Sequence, residues 1–173
     1  MSASWRQLLV LFLAVGAVSL WLLRAPVEAE WVFPMPAGKT YVAECGGCHT
    51  AFAPGLLPAR SWRRMMGGLA THFGEDASLD EPQYFAVLKE LETLAADGSY
   101  ANPRMHRISA ATPADAAPQR ISETVYFKSL HDELPRGTWQ RKGVGSAANC
   151  QACHARANQG RYLEREVRIP AAS

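Results

Sequence analysis

The sequence predicts a mainly α, small single-domain protein with few or no strands, and three observations carry that expectation. Apolar residues recur at helical spacing in three separate segments, and no segment alternates convincingly enough to be a long strand. The length of 173 residues leaves room for one domain and a targeting segment.

The first element is that targeting segment. Arg6 precedes an uncharged apolar run over residues 8–23, Arg24 follows it, and Pro26 breaks any helix. A secretory apolar core is typically about 7–15 residues long and a membrane span about 17–25, so the run lies between the two. Val27-Glu28-Ala29 offers small residues at the positions a signal peptidase reads. Residues 1–29 are therefore expected to be a cleaved signal peptide or an N-terminal membrane anchor, with one domain over 30–173. Both readings export the domain.

Setting aside residues 1–29 removes Arg6, Arg24 and Glu28, and leaves 16 basic against 15 acidic residues. A net charge of +1 gives no electrostatic footprint for nucleic acid.

All four cysteines lie in two C-x-x-C pairs, Cys45/Cys48 and Cys150/Cys153, each followed at once by histidine, His49 and His154. With 5 His in the chain, two such placements would arise by chance roughly once in a thousand chains. A thioredoxin-type dithiol needs one C-x-x-C in a βαβ setting. A Cys₄ zinc site or two disulfides use the thiols but leave both histidines unexplained. C-x-x-C-H is the signature of covalent c-type haem attachment, and it uses every residue. Cysteines at i and i+3 share a helix face and can bond the two vinyl groups of one porphyrin, and histidine at i+4 from the first Cys reaches the iron from that same face. Two covalently bound haem c groups are expected, held by Cys45, Cys48, Cys150 and Cys153 with His49 and His154 as iron ligands.

The remaining elements are read for the far side of each iron. A short helix is expected to lead into each motif. The second helix is expected over 58–73, where Trp62, Met65, Met66, Leu69, His72 and Phe73 form one apolar stripe ended by Gly74. The third, over 81–96, has Asp80 and Gln83 in capping-box spacing, Gly98 at its stop, and Lys89, Glu90, Glu92 and Asp97 as a solvated face. The fourth, over 122–134, has Ser122 as N-cap and Pro135 as stop, and turns Phe127, Leu130, His131 and Leu134 inward. His106 falls in an aperiodic Pro- and Ala-rich stretch that reads as an exposed loop. His72 and His131 are thus the expected distal ligands, with His106 the outsider. The sequence leaves their pairing with the two motifs open, nearest-in-chain being the simplest choice. Met65, Met66 and Met105 are competing ligands, and packing is the preferred reading for Met65 and Met66. Two histidine pairs would give low-spin, low-potential irons, and a Met/His pair would raise the potential. Trp62, Trp139 and Arg60 could line haem edges or a docking surface, with ordinary packing and solvated charge the preferred reading.

The segments CGGCHTAFAPGLLPARSWRRMMGGLATHFGEDASLD, RISETVYFKSLHDELP and VGSAANCQACHARANQGRYLEREVRIP resemble the bacterial dihaem cytochromes c known as DHC. The resemblance covers most of the chain after about residue 40. It includes His72 and His131 but not His106, and residues 108–119 read as a variable loop. It implies electron transfer in the periplasm between redox proteins and no substrate chemistry. The implied acceptor is a small oxygen-binding haem protein, and the implied donor a membrane b-type cytochrome. The reading from another class is a haem enzyme or gas-binding sensor with one iron open.

Overall fold

The computed structural model describes residues 28–171 together with positions 7 and 10. The expected signal peptide or anchor, residues 1–29, therefore lies almost wholly outside the described residues. Among those that are described, no helix is long and apolar enough to cross a membrane.

After residue 30 the described chain forms five α-helices joined by short 3-10 turns: α1 Lys39–Gly46, α2 Ala59–Met66, α3 Glu81–Leu94, α4 Pro103–Ala111 and α5 Val125–Leu130. Extended pairing among these residues is limited to two isolated bridges, Val32 with Arg161 and His72 with Glu75. The mainly α expectation holds.

The local differences from the sequence reading each have a physical cause. The stripe over 58–73 is not one helix. α2 stops at Met66, where Gly67 and Gly68 withdraw helix propensity, and a 3-10 turn, Leu69–Thr71, carries the chain on to His72. α3 begins at Glu81, but Asp80 makes no side-chain cap, so the capping box does not form. It ends at Leu94 rather than 96. Gly98 lies where an added Cβ would meet the Thr93 carbonyl oxygen at 2.4 Å, so only glycine fits that turn.

The polar face of α3, exposed at Lys89 and half-buried at Glu90 and Glu92, also ties elements together. The Gly38 amide donates to Glu90 at 3.0 Å, Arg63 donates to Glu92 at 2.6 Å, and the Ala59 amide donates to Asp97 at 2.7 Å. Arg60 is likewise committed. It donates to the carbonyls of Thr112, Pro113 and Ala116 and so clamps the loop after α4.

His106 lies on a helix, not in a loop. Asn102 accepts from the Met105 amide at 3.0 Å, and Pro103 occupies the first helical position, where its missing N–H costs nothing. In the last helix the cap is Thr124, which accepts from the Phe127 amide at 3.1 Å; Ser122 belongs to the 3-10 turn before it. α5 ends at Leu130, leaving His131 just past its last turn.

Two clusters of buried side chains form the core. Tyr41, Leu57, Trp62, Met66, Val87 and Leu91 make one, between α1, α2 and α3. Phe33, Met105, Ile108, Ala157 and Tyr162 make the other, where α4 meets the C-terminal segment. The second is closed by a short pairing: the Phe33 amide donates to the Gly160 carbonyl at 2.8 Å, and the Tyr162 amide to the Trp31 carbonyl at 2.9 Å. Gly160 has φ +70°, and an added Cβ would stand 2.1 Å from the Phe33 carbonyl oxygen. No side chain is tolerated there, and the contact fixes the position of Tyr162 two residues on.

Candidate functional site

Each C-x-x-C-H motif sits against one of the two inward histidines. The helix leading into the first motif is present: α1 carries Cys45, and the chain turns at Cys48 and His49 immediately after it. The second motif has no such helix. A 3-10 turn, Cys150–Ala152, follows a run of turns, and the Cys153 and His154 amides both close back on the Cys150 carbonyl. One turn is enough to put two thiols and the following imidazole on one side.

The far-side histidines arrive by different routes. Past α2, Phe73 at φ +52° and Gly74 at φ +104° turn the chain back, so that the Glu75 amide donates to the His72 carbonyl at 3.1 Å. A left-handed Phe costs about 1 kcal/mol or more, and such strain persists only where its surroundings hold it. Here the Phe73 ring meets His72 edge-on at 4.8 Å, and Arg120 stacks on it at 4.1 Å. His131 is instead set by α5, with its Nδ1 2.7 Å from the Phe127 carbonyl and its ring stacked on Phe127 at 4.0 Å.

The result is two histidine pairs. His49 and His72 have ring centres 6.1 Å apart with planes inclined by 29°. His131 and His154 have ring centres 6.3 Å apart with planes inclined by 78°. A metal–nitrogen bond of about 2 Å on each side, plus the half-width of each imidazole, calls for roughly 6.3 Å between ring centres. Both spacings match that figure. His106 is exposed on α4. Met66 and Met105 are 3 % and 0 % exposed within the two core clusters, and Met65 packs beside the first.

The second pair opens on a cavity of about 410 Å³ lined by Cys150, Cys153, His154, His131, Phe127 and Trp139 among others. That volume falls within the roughly 300–1,000 Å³ of cofactor pockets. Trp139 is therefore a wall of the site, its ring 5.8 Å from His131, whereas Trp62 is a core residue donating to the Pro54 carbonyl at 2.7 Å. The first site is more open: Cys48 and His49 are exposed and Cys45 is half-buried.

The donor geometry does not form a zinc staple among the described residues. The four thiols are unpaired, and burial pushes Cys45 and Cys150 up to about 11. Among the described residues no three His, Cys, Asp or Glu converge closely enough to hold a metal ion. His72 and His154 lie below the ordinary histidine value, first because burial disfavours the imidazolium and then because His49 and His131 stand beside them. Neutral imidazole is the form that binds a metal.

The two sites touch. Thr50 donates from its hydroxyl to the Gln151 side-chain oxygen at 2.6 Å, joining the residue after the first motif to the interior of the second across 101 positions.

The sequence model of the family described as dihaem cytochrome c matches residues 41–162. No curated protein sequence matches the chain significantly. Among solved structures, the diheme cytochrome c from Rhodobacter sphaeroides is 36% identical, with a TM-score of 0.63 over 76% of this chain and 99% of that one. The diheme cytochrome of Shewanella baltica OS155 is 35% identical, with a TM-score of 0.62 over 79% and 96% of the two chains.

Proposed function

Because the chain belongs to the dihaem cytochrome c family and so carries two covalently bound c-type haems, we propose that it is a periplasmic electron carrier with both irons held between two histidines. His49 pairs with His72 and His154 with His131, and the thiols of Cys45 and Cys48, and of Cys150 and Cys153, are consumed in attachment. The single observation carrying this reading is the ring-centre spacing, 6.1 and 6.3 Å in two unrelated local settings. An iron taken from both sides has no position left for substrate, so one-electron exchange is the chemistry the haems supply when bound. The protein's own work is to hold the imidazoles neutral and aligned and to wall the second site with Phe127, Trp139 and Tyr162.

Export follows from the apolar run over residues 8–23, as cleaved signal or as anchor, with the domain over 30–173 outside the cytoplasm. The partners are other redox proteins. The family resemblance supports a membrane b-type cytochrome as donor and a small oxygen-binding haem protein as acceptor.

The test is the optical and EPR spectrum of the holoprotein. Two low-spin haems are expected at rest. His72→Ala and His131→Ala should each turn one haem high-spin, whereas His106→Ala leaves both unchanged. A resting high-spin component in the unaltered protein would mean an open iron and would overturn the carrier reading in favour of a haem enzyme or gas sensor.

A further inference from the structure

Two polar groups at the second site are buried without partners. His154 Nδ1 and the Tyr162 hydroxyl both lack a hydrogen bond, and their rings lie 5.3 Å apart, centre to centre. Tyr162 is 8 % exposed, its ring is wedged edge-on against Phe33 at 5.5 Å, and it lines the same cavity as His131, His154 and the two cysteines. The backbone pairing with Trp31 and the closed contact at Gly160 hold it there.

A histidine bound to iron through Nε2 carries a proton on Nδ1 and needs an acceptor for it. Two of the other ligands, one at each site, differ in this respect. His49 Nδ1 lies 2.8 Å from the Thr50 carbonyl, and His131 Nδ1 lies 2.7 Å from the Phe127 carbonyl. His154 has no carbonyl in reach. A phenol hydroxyl can accept a hydrogen bond as well as donate one. Burying both groups unpaired carries a desolvation cost that satisfying one with the other removes.

We propose that Tyr162 is the positioning residue for His154, accepting its Nδ1–H through one bridging water or after a small shift of the phenol ring, and thereby tuning the second haem alone. This rests on His154 being an iron ligand, which the resting spectrum tests separately: a high-spin haem in the unaltered protein would indict the ligation, not Tyr162.

The experiment is a redox titration of holoprotein Tyr162→Phe. An acceptor at Nδ1–H makes the imidazole more electron-rich and favours ferric iron. Its removal should raise one of the two midpoint potentials and leave the other in place, with both haems still low-spin. A fall in one potential would mean that the hydroxyl donates to a haem carboxylate instead, and would overturn the proposal; so would no shift, or equal shifts in both haems. Should Phe at 162 yield no haem-loaded protein, NMR of the reduced, unaltered holoprotein decides. Through-space contact between His154 Nδ1–H and the Tyr162 ring protons is expected, and an Nδ1–H lying against some other acceptor would refute the assignment.

Discussion

The two haem sites use the same five-residue motif and enclose it differently. At the first, Cys48 and His49 are exposed, and the proposed distal ligand His72 depends on a strained turn braced by Phe73 and Arg120. At the second, the motif lines a cavity walled by Phe127, Trp139 and Tyr162, and the proposed distal ligand His131, just past the end of α5, is held by the Phe127 carbonyl one turn back. The braces are also exchanged. In the first site it is the motif histidine whose Nδ1 meets a carbonyl, and in the second it is the distal one. The motif fixes what is attached; the surroundings fix how firmly and in what orientation.

Acid should break the comparison most visibly. His72 and His154 are held below the ordinary histidine value, so the unfolded or detached imidazole takes up a proton that the native site refuses. As pH falls through the ordinary histidine range, bound protons therefore favour the opened state, and ligation is lost on the acid side and kept above it. The exposed first site should convert from low-spin to high-spin before the enclosed second one. An optical acid titration of the holoprotein should show two steps, with the first absent in His72→Ala. A single shared step would erase the distinction between the sites.

The ring planes sharpen the same contrast with a smaller effect. Near-parallel imidazoles, as at 29°, split the iron orbitals that share the unpaired electron, whereas planes at 78° leave those orbitals closer in energy. Frozen-solution EPR of the oxidised holoprotein should therefore resolve two low-spin species, and the one with the larger maximum g value should vanish in His131→Ala. Two identical signals would mean that bound haem equalises the ring angles.

How much of this was legible in the sequence depends on the range of the cause. The motifs were, because thioether chemistry fixes five consecutive residues. His72 and His131 fell on the apolar faces read from helical spacing, even though α2 and α5 both stop short of them, because a 3-10 turn or a frayed end turns a side chain much as a helix does. The Asn102-Pro103 start of α4 was legible as cap and first-turn proline, and was hidden by the surrounding Pro and Ala. Three features had no local signal. The ties from Glu90, Glu92 and Asp97, the clamp from Arg60, and the burial of Tyr162 all depend on segments distant in the chain.

The smallest predicted effect concerns the seam where the two sites meet. The Thr50–Gln151 hydrogen bond is exposed, and a neutral bond of that kind contributes on the order of 0.5–1 kcal/mol. Yet among the described residues it is the one side-chain hydrogen bond between the two motif regions, and its partners lie in or beside the two motifs. If it couples the sites, Thr50→Val and Gln151→Ala should each lower holoprotein stability slightly in denaturant titration. The double variant should then cost no more than the larger single one, because the second change removes nothing further. Additive losses would mean that the two side chains are held by their own turns. The sites would then be neighbours in space without being one cooperative unit, and their differences in acid stability and ring angle would follow from local structure alone.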